Sequence, residues 1–351
     1  MRALLLSTIL VAVILVSSTL AASSLSVRNS VAITRPGFAG MWFDYVVVIM
    51  LENHAIDTTY GSSCLGNCTF FNYLADTYGL ADNYDAGGVS GSLGDYIAIT
   101  SGDGSVTCNF APGQNGCGPY GDANIVDRIE RKHLTWKAYM EDYPTSCGSN
   151  CSPIGKCFIA SSSSSGHYAS IHNPFVYYQD ILNNASRCSR IVPANKTILS
   201  QSQPCGSKTD PGIVETDDLL LNDLNSMTNV ANYTFLTPNT VDDLHDCSSG
   251  DVSLGNHYLQ HLVPQILDST LFKSKRAALF VTFDEIDPFN SGRPNIYTVW
   301  ASRNSSITQP AFKSTLNFNH FSALKTFDDN WGFLGINSTD TSASAMGVFF
   351  R

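Results

Sequence analysis

Three strand-like runs in this 351-residue chain each stop at a group of acidic residues, joined by an imidazole in two of them. Tyr45 to Leu51 is followed by Glu52-Asn53-His54. Asn232 to Thr237 leads through Pro238-Asn239 to Asp242-Asp243-Leu244-His245-Asp246, and Ala277 to Phe283 ends at Asp284-Glu285. A fourth stretch, Gly87 to Gly102, supplies hydroxyls: a Gly/Ser approach containing Ser90 and Ser92 runs into an apolar segment of helical character. A hydroxyl at a helix start lies beside unpaired backbone N–H groups and the positive end of the helix dipole, a setting that suits an anionic phosphoryl group. Ser92 is therefore a candidate nucleophile, with the alternative that it only caps the helix.

For these groups to act together, a scaffold must bring distant strand ends to one place. The continuous β-branched composition of Tyr45 to Leu51 is that of a strand covered on both faces of a parallel sheet, and the other two runs read the same way. Between the strands, Phe70 to Tyr78, Ile125 to Lys132 and Val252 to Leu267 carry apolar residues at helical spacing. Strands alternating with helices predict a doubly wound α/β sheet, which binds ligands in the crevice outside the carboxyl ends of its strands. The competing reading treats Asp, Asn and Pro after each strand as turn residues and nothing more. Ser101 to Gly121 is expected to be a loop stapled by Cys108 and Cys117, and Ser161 to Gly166 a low-complexity loop. Neither a repeat nor a linker interrupts the rest, so a single domain is expected over residues 40–351.

Bulk properties narrow the setting. The formal charge of −10 and the sparse, scattered Lys and Arg argue against nucleic acid as a partner. Arg2, the apolar run Ala3 to Leu20 and the small residues after it have the layout of an export signal over residues 1–22, with an uncleaved anchor as the alternative. Ten cysteines behind such a segment, without the paired spacing of a zinc ribbon, predict disulfides. Sequons at Asn67, Asn150, Asn184, Asn195, Asn232, Asn304 and Asn337 fit a surface glycoprotein. The expected location is secreted or cell-surface.

The segment Val46 to His54, with Asp57 and Gly61 after it, resembles the opening motif of the phosphoesterase family that contains bacterial acid phosphatases, phosphatidylinositol 3-phosphatases and phosphatidylcholine-type phospholipases C. Later segments resemble the same family in the same order. They are Ser92-Leu93-Gly94-Asp95-Tyr96, Trp136 to Glu141, His172 to Tyr178, Thr237-Pro238-Asn239 with Asp243 and His245, Phe283-Asp284-Glu285, and His320 to Leu324. Many relatives carry His-Pro-Ser-Leu-Pro-Asn where this chain has Ser90 to Asp95, and Gly where it has Ile286; Ser90 stands as an alternative nucleophile.

The resemblance implies an alkaline-phosphatase-like α/β fold with helices on both faces and a hydroxyl nucleophile, Ser92 by position. It implies that Glu52, Asn53, Asp284 and Glu285 hold or orient a divalent metal cation, whose oxygen ligands suit a hard or borderline ion. His245 and His172 are implied as phosphate-binding or proton-donating groups, and Asp243 and His320 as parts of a second metal position. A hydrogen-bonded structural histidine is the competing role for His172 and His320. The activity expected is phosphomonoester hydrolysis on a small phosphorylated substrate, with phosphodiesterase or phospholipase C activity as the nearest alternative. A membrane becomes a partner only through an uncleaved anchor or a phospholipid substrate. A non-catalytic surface glycoprotein keeping the fold is the alternative from a different class. The sulfatase signature Cys-x-Pro-x-Arg is absent from the chain.

Overall fold

Val46 to Leu51 lose all solvent contact in strand β1 (Tyr45–Leu51), as their unbroken apolar sequence requires of a strand covered on both faces. The computed structural model to which this strand belongs describes residues 39–89, 91–144, 151–160, 167–196, 217–246, 251–287 and 292–351. The proposed export segment, Ser90, the Ser161–Gly166 loop, Asn150 and Cys147, Cys205 and Cys247 lie outside the described residues.

The other strands of the main sheet are β2 (Gly79–Ala81), β3 (Trp136–Met140), β4 (Ile191–Pro193), β5 (Tyr233–Thr237), β6 (Ala277–Phe283), β7 (Thr298–Ala301) and β8 (Phe312–Ser314). Their spatial order is β8-β2-β7-β6-β1-β5-β3-β4. The pairs β6/β1, β1/β5, β5/β3 and β3/β4 are parallel, whereas β7 runs antiparallel to both neighbours, so the sheet is mixed. Register matters most between β1 and β6. Tyr45 pairs with Ala277 and Leu51 with Phe283, so the two strands end level and Glu52 emerges beside Asp284. A one-residue slip would turn every side chain of one strand to the opposite face.

Helices cover both faces. Residues three apart on a strand point to opposite sides. In β6, Phe280 packs on Trp300 and on Phe327 of helix α5 (His320–Trp331), whereas Phe283 packs on Phe71 of helix α1 (Thr69–Thr77) and on Tyr297. Helix α2 (Ser92–Ser101) lies against α5, α3 (Ile125–Arg131) follows in the chain, and α4 (Asp251–Leu267) lies against α1. The start of α1 is capped from α4: Asn256 Oδ1 accepts from Phe70 N at 2.6 Å. Among the described residues, no helix is long and apolar enough to cross a membrane.

Three disulfides join Cys64 to Cys68, Cys108 to Cys117 and Cys157 to Cys188. The second closes the Ser101–Gly121 loop as its sequence suggested. Two sequons are corrected by burial. Asn195 donates to Asp142 Oδ1, and Asn232 accepts from Thr135 while donating to the Asp44 carbonyl, so neither amide is available to a glycan. Asn67, Asn184, Asn304 and Asn337 are exposed.

Candidate active site

Glu52 follows directly on β1 and is fully buried. Its Oε2 accepts from Ser92 Oγ at 2.9 Å and lies 3.4 Å from His172 Nε2. Asn53 takes a left-handed conformation with φ 43°, which asparagine tolerates better than most residues. That turn aims its backbone N–H at Asp284 Oδ1, 2.8 Å away. With its amide oriented as its neighbours dictate, Nδ2 donates to Glu52 Oε2 at 2.6 Å and to Asp284 Oδ2 at 3.2 Å. Asn53 thus ties the ends of β1 and β6 together.

Ser92 is the first residue of α2, and the cap position is occupied by Gly91, which offers no side chain. The Ser92 hydroxyl is spent on Glu52 rather than on the helix backbone. Gly91 has φ 86°, a conformation that strains any residue with a Cβ, and its N–H donates to Glu285 Oε2 at 3.3 Å. Asn109 Oδ1 accepts from Leu93 N at 3.2 Å, so a group from the disulfide-closed loop satisfies one of the helix's free donors.

Beyond β5, the turn 242–246 presents Asp243 and His245. Asp243 Oδ2 lies 3.1 Å from His172 Nδ1, and the Asp243 carbonyl accepts from Glu52 N at 2.8 Å. His172 is therefore held between Glu52 and Asp243, with the Tyr96 ring stacked on it at 5.7 Å. His245 sits at the rim, with its side chain 41% exposed, its Nδ1 2.9 Å from Asp246 Oδ1 and its ring 5.5 Å from that of His172. His320 is buried with both ring nitrogens engaged, Nδ1 by the Tyr84 hydroxyl at 3.1 Å and Nε2 by the Asp284 carbonyl at 2.5 Å.

Two sets of ligand atoms, each within 4.8 Å of one another, could hold a cation: Glu52, His172 and Asp243, and Asp95, Asp284 and Glu285. Asp243 and His320, expected at one second metal position, lie by different sets. Asp95 was not among the residues singled out as ligands. Its signal was its place three residues after Ser92, on the same side of a helix.

The electrostatics follow from burying so many acids together. Burial, then Asp284 and Asp243, holds Glu52 well above the ordinary carboxylate range. Burial, then Asp284 and Glu285, pushes Asp95 up to about 10, while burial and Asp284 push Glu285 up to about 7. Burial raises Asp243 against the lowering effect of His172. The hydrogen bond to Asp246 raises His245, and burial lowers His320.

A profile of the Phosphoesterase family matches residues 64–334. The chain belongs to that family. Among curated proteins, it is 21% identical over 317 residues to a probable acid phosphatase of Kluyveromyces lactis, and 23% identical over 319 residues to a phosphate-repressible acid phosphatase of Penicillium chrysogenum. Each match covers 88% of this chain and 63% of the relative, so the chain spans less than two thirds of either protein. Among solved structures, a protein of the alkaline phosphatase superfamily from Vibrio parahaemolyticus superposes with a TM-score of 0.52 at 11% identity, over 85% of this chain and 67% of that one. The chain therefore shares the α/β fold of that protein.

Proposed function

We propose that this phosphoesterase-family chain is an extracellular, acid-phosphatase-like phosphomonoesterase that uses Ser92 as nucleophile beside a divalent cation. The observation that carries the reading is the hydrogen bond from Ser92 Oγ to buried Glu52 within a cluster of carboxylates at the strand ends. Support for a cation comes from unspent ligand atoms: Glu52 Oε1, His172 Nε2 and both Asp95 carboxyl oxygens are buried without a hydrogen-bond partner. Glu52, Asn53, Asp284 and Glu285 would hold or orient the ion beside Ser92, and Asp243 and His172 form a second possible ligand set with Glu52. A bound divalent cation supplies charge neutralisation, a lower pKa for the Ser92 hydroxyl and stabilisation of the phosphoryl oxygens.

The chain's own residues then divide the work. Ser92 Oγ attacks phosphorus as its proton passes to Glu52 Oε2, the bond to the departing alcohol breaks, and a phosphoseryl group forms. His245, protonated in mild acid because Asp246 raises its pKa, gives its proton to the leaving oxygen. In the second half-reaction, neutral His245 takes a proton from the water that releases phosphate from Ser92, and Ser92 regains its own proton from Glu52. His172, clamped by Asp243 and Tyr96, keeps Glu52 oriented. Extracellular operation is supported by the three disulfides, which persist in oxidising compartments. Hydrolysis of p-nitrophenyl phosphate and of bis-p-nitrophenyl phosphate by the purified protein, with and without chelator, tests the reading. The monoester is expected to turn over and chelator to stop it. Preferential cleavage of the diester would move the protein to the phosphodiesterase class, and turnover of neither would favour a non-catalytic role.

A further inference from the structure

We infer that Asp95 is itself a cation ligand and that, with Asp284 and Glu285, it makes an all-oxygen position selective for a hard divalent ion of the magnesium or manganese kind. The inference rests on the functional reading only in placing a cation among these carboxylates. Asp95 occupies the fourth residue of α2, one turn beyond Ser92, so a single helix face offers both the hydroxyl and a carboxylate. Asp95 is fully buried, and neither of its oxygens makes a hydrogen bond. An unsatisfied buried carboxyl is costly, and native structures rarely retain one without a partner that completes it.

The surroundings supply no such partner from the chain. The nearest base, His320 Nε2, is 3.6 Å from Asp95 Oδ1 and is already engaged by the Asp284 carbonyl at 2.5 Å. With Nε2–H donating there, Nδ1 is left to accept from Tyr84, which describes a neutral ring. Asp284 receives the Asn53 N–H and Glu285 the Gly91 N–H, both neutral donors. Among the described residues, no Lys or Arg forms an ion pair with Asp95, Asp284 or Glu285. Three acids within 4.8 Å of one another, one of them without any hydrogen bond, are completed by a small cation of high charge.

Ligand chemistry distinguishes this position from the other. Glu52, Asp243 and His172 mix two carboxylates with an imidazole, a set that also accepts zinc, whereas Asp95, Asp284 and Glu285 offer oxygen alone. Removing Asp95 should therefore cost affinity for hard ions far more than affinity for zinc.

The test is binding, read without turnover. Metal-free full-length protein and Asp95→Asn are titrated with Mn2+ by electron paramagnetic resonance and with Zn2+ by calorimetry, alongside melting temperatures with and without Mn2+. The substitution is expected to weaken Mn2+ binding at least about tenfold, to leave Zn2+ affinity within about twofold of the wild type, well inside the roughly tenfold cost of losing a partner at a metal site, and to abolish the Mn2+-dependent rise in melting temperature. Asp95→Ala reads the same quantities if the asparagine variant does not fold. Unchanged Mn2+ affinity in either variant, or no Mn2+ binding by the wild type, overturns the inference. Loss of Mn2+ binding in a protein that hydrolyses no phosphoester upholds the inference while removing the functional reading.

Discussion

Ser92 and Asp284 illustrate how differently two residues of one site should fail. Ser92→Ala deletes the attacking oxygen, so turnover should fall at least about a thousandfold with no rescue by added metal. Its stability should change by only about 1 kcal/mol, the worth of one hydrogen bond to Glu52. Turnover and melting temperature measured on one preparation separate this from a capping role, which predicts nearly intact activity. Asp284→Asn keeps the shape but removes charge from the cation site, so its activity should recover in part at high metal concentration; a metal titration of turnover shows whether it does. At this scale the sequence was informative where chemistry is announced by position. Glu52, Asn53, Asp284 and Glu285 follow strands directly, and the structure gathers them around Ser92. Asp95 was harder to read because an acid one turn into an apolar helix looks like any polar position until its burial is known.

Elements decide whether those residues arrive. Strands β1 and β6 were legible over their full lengths because each is a seven-residue run almost wholly apolar, with β-branched or aromatic residues at most positions. Strand β3, Trp-Lys-Ala-Tyr-Met, was not read as a strand: it has no β-branched residue, and its pairing with β5 and β4 supplies what its composition does not. A subtler dependence links α4 to the turn that carries Asp243 and His245. Leu244 lies between them with φ 82°, a strained value for leucine. Gly255 of α4 makes room for it, since a Cβ there would come within 2.1 Å of Leu244 Cδ1. Helix propensity alone predicts that Gly255→Ala stabilises by about 1 kcal/mol. The contact predicts the opposite, a loss of roughly 1–3 kcal/mol together with weaker turnover, because Leu244 must move and its neighbours with it. Urea denaturation with parallel kinetics decides which effect wins.

Across the whole molecule, buried carboxyl groups should set the pH at which the protein is most stable. Asp328 of α5 is fully buried, and burial together with Asp340 pushes it up to about 8. Asp340 accepts from the Ile336 and Asn337 N–H groups, which fix its carboxyl beside Asp328. The folded pKa lies above the unfolded one, so the folded state binds more protons between them. The contribution of Asp328 is complete below about pH 4 and is lost as pH rises towards 8, at up to about 1.4 kcal/mol per pH unit. Asp328→Asn cannot ionise, so its melting temperature in chelator should decline less than that of the wild type between pH 5 and 8. Parallel declines would contradict this. The sequence showed the acidity of the chain but not which acids are buried together, because such pairs are made by tertiary contact.

The central claim is that Ser92 accepts the phosphoryl group, and the most direct measurement is acid quenching during turnover of p-nitrophenyl phosphate followed by peptide mass spectrometry. The account predicts that one phosphoryl group is found on Ser92 in the wild type and that none is found on this segment in Ser92→Ala. A phosphoryl group on Ser90 instead, or an active enzyme that never carries one on this segment, would contradict it.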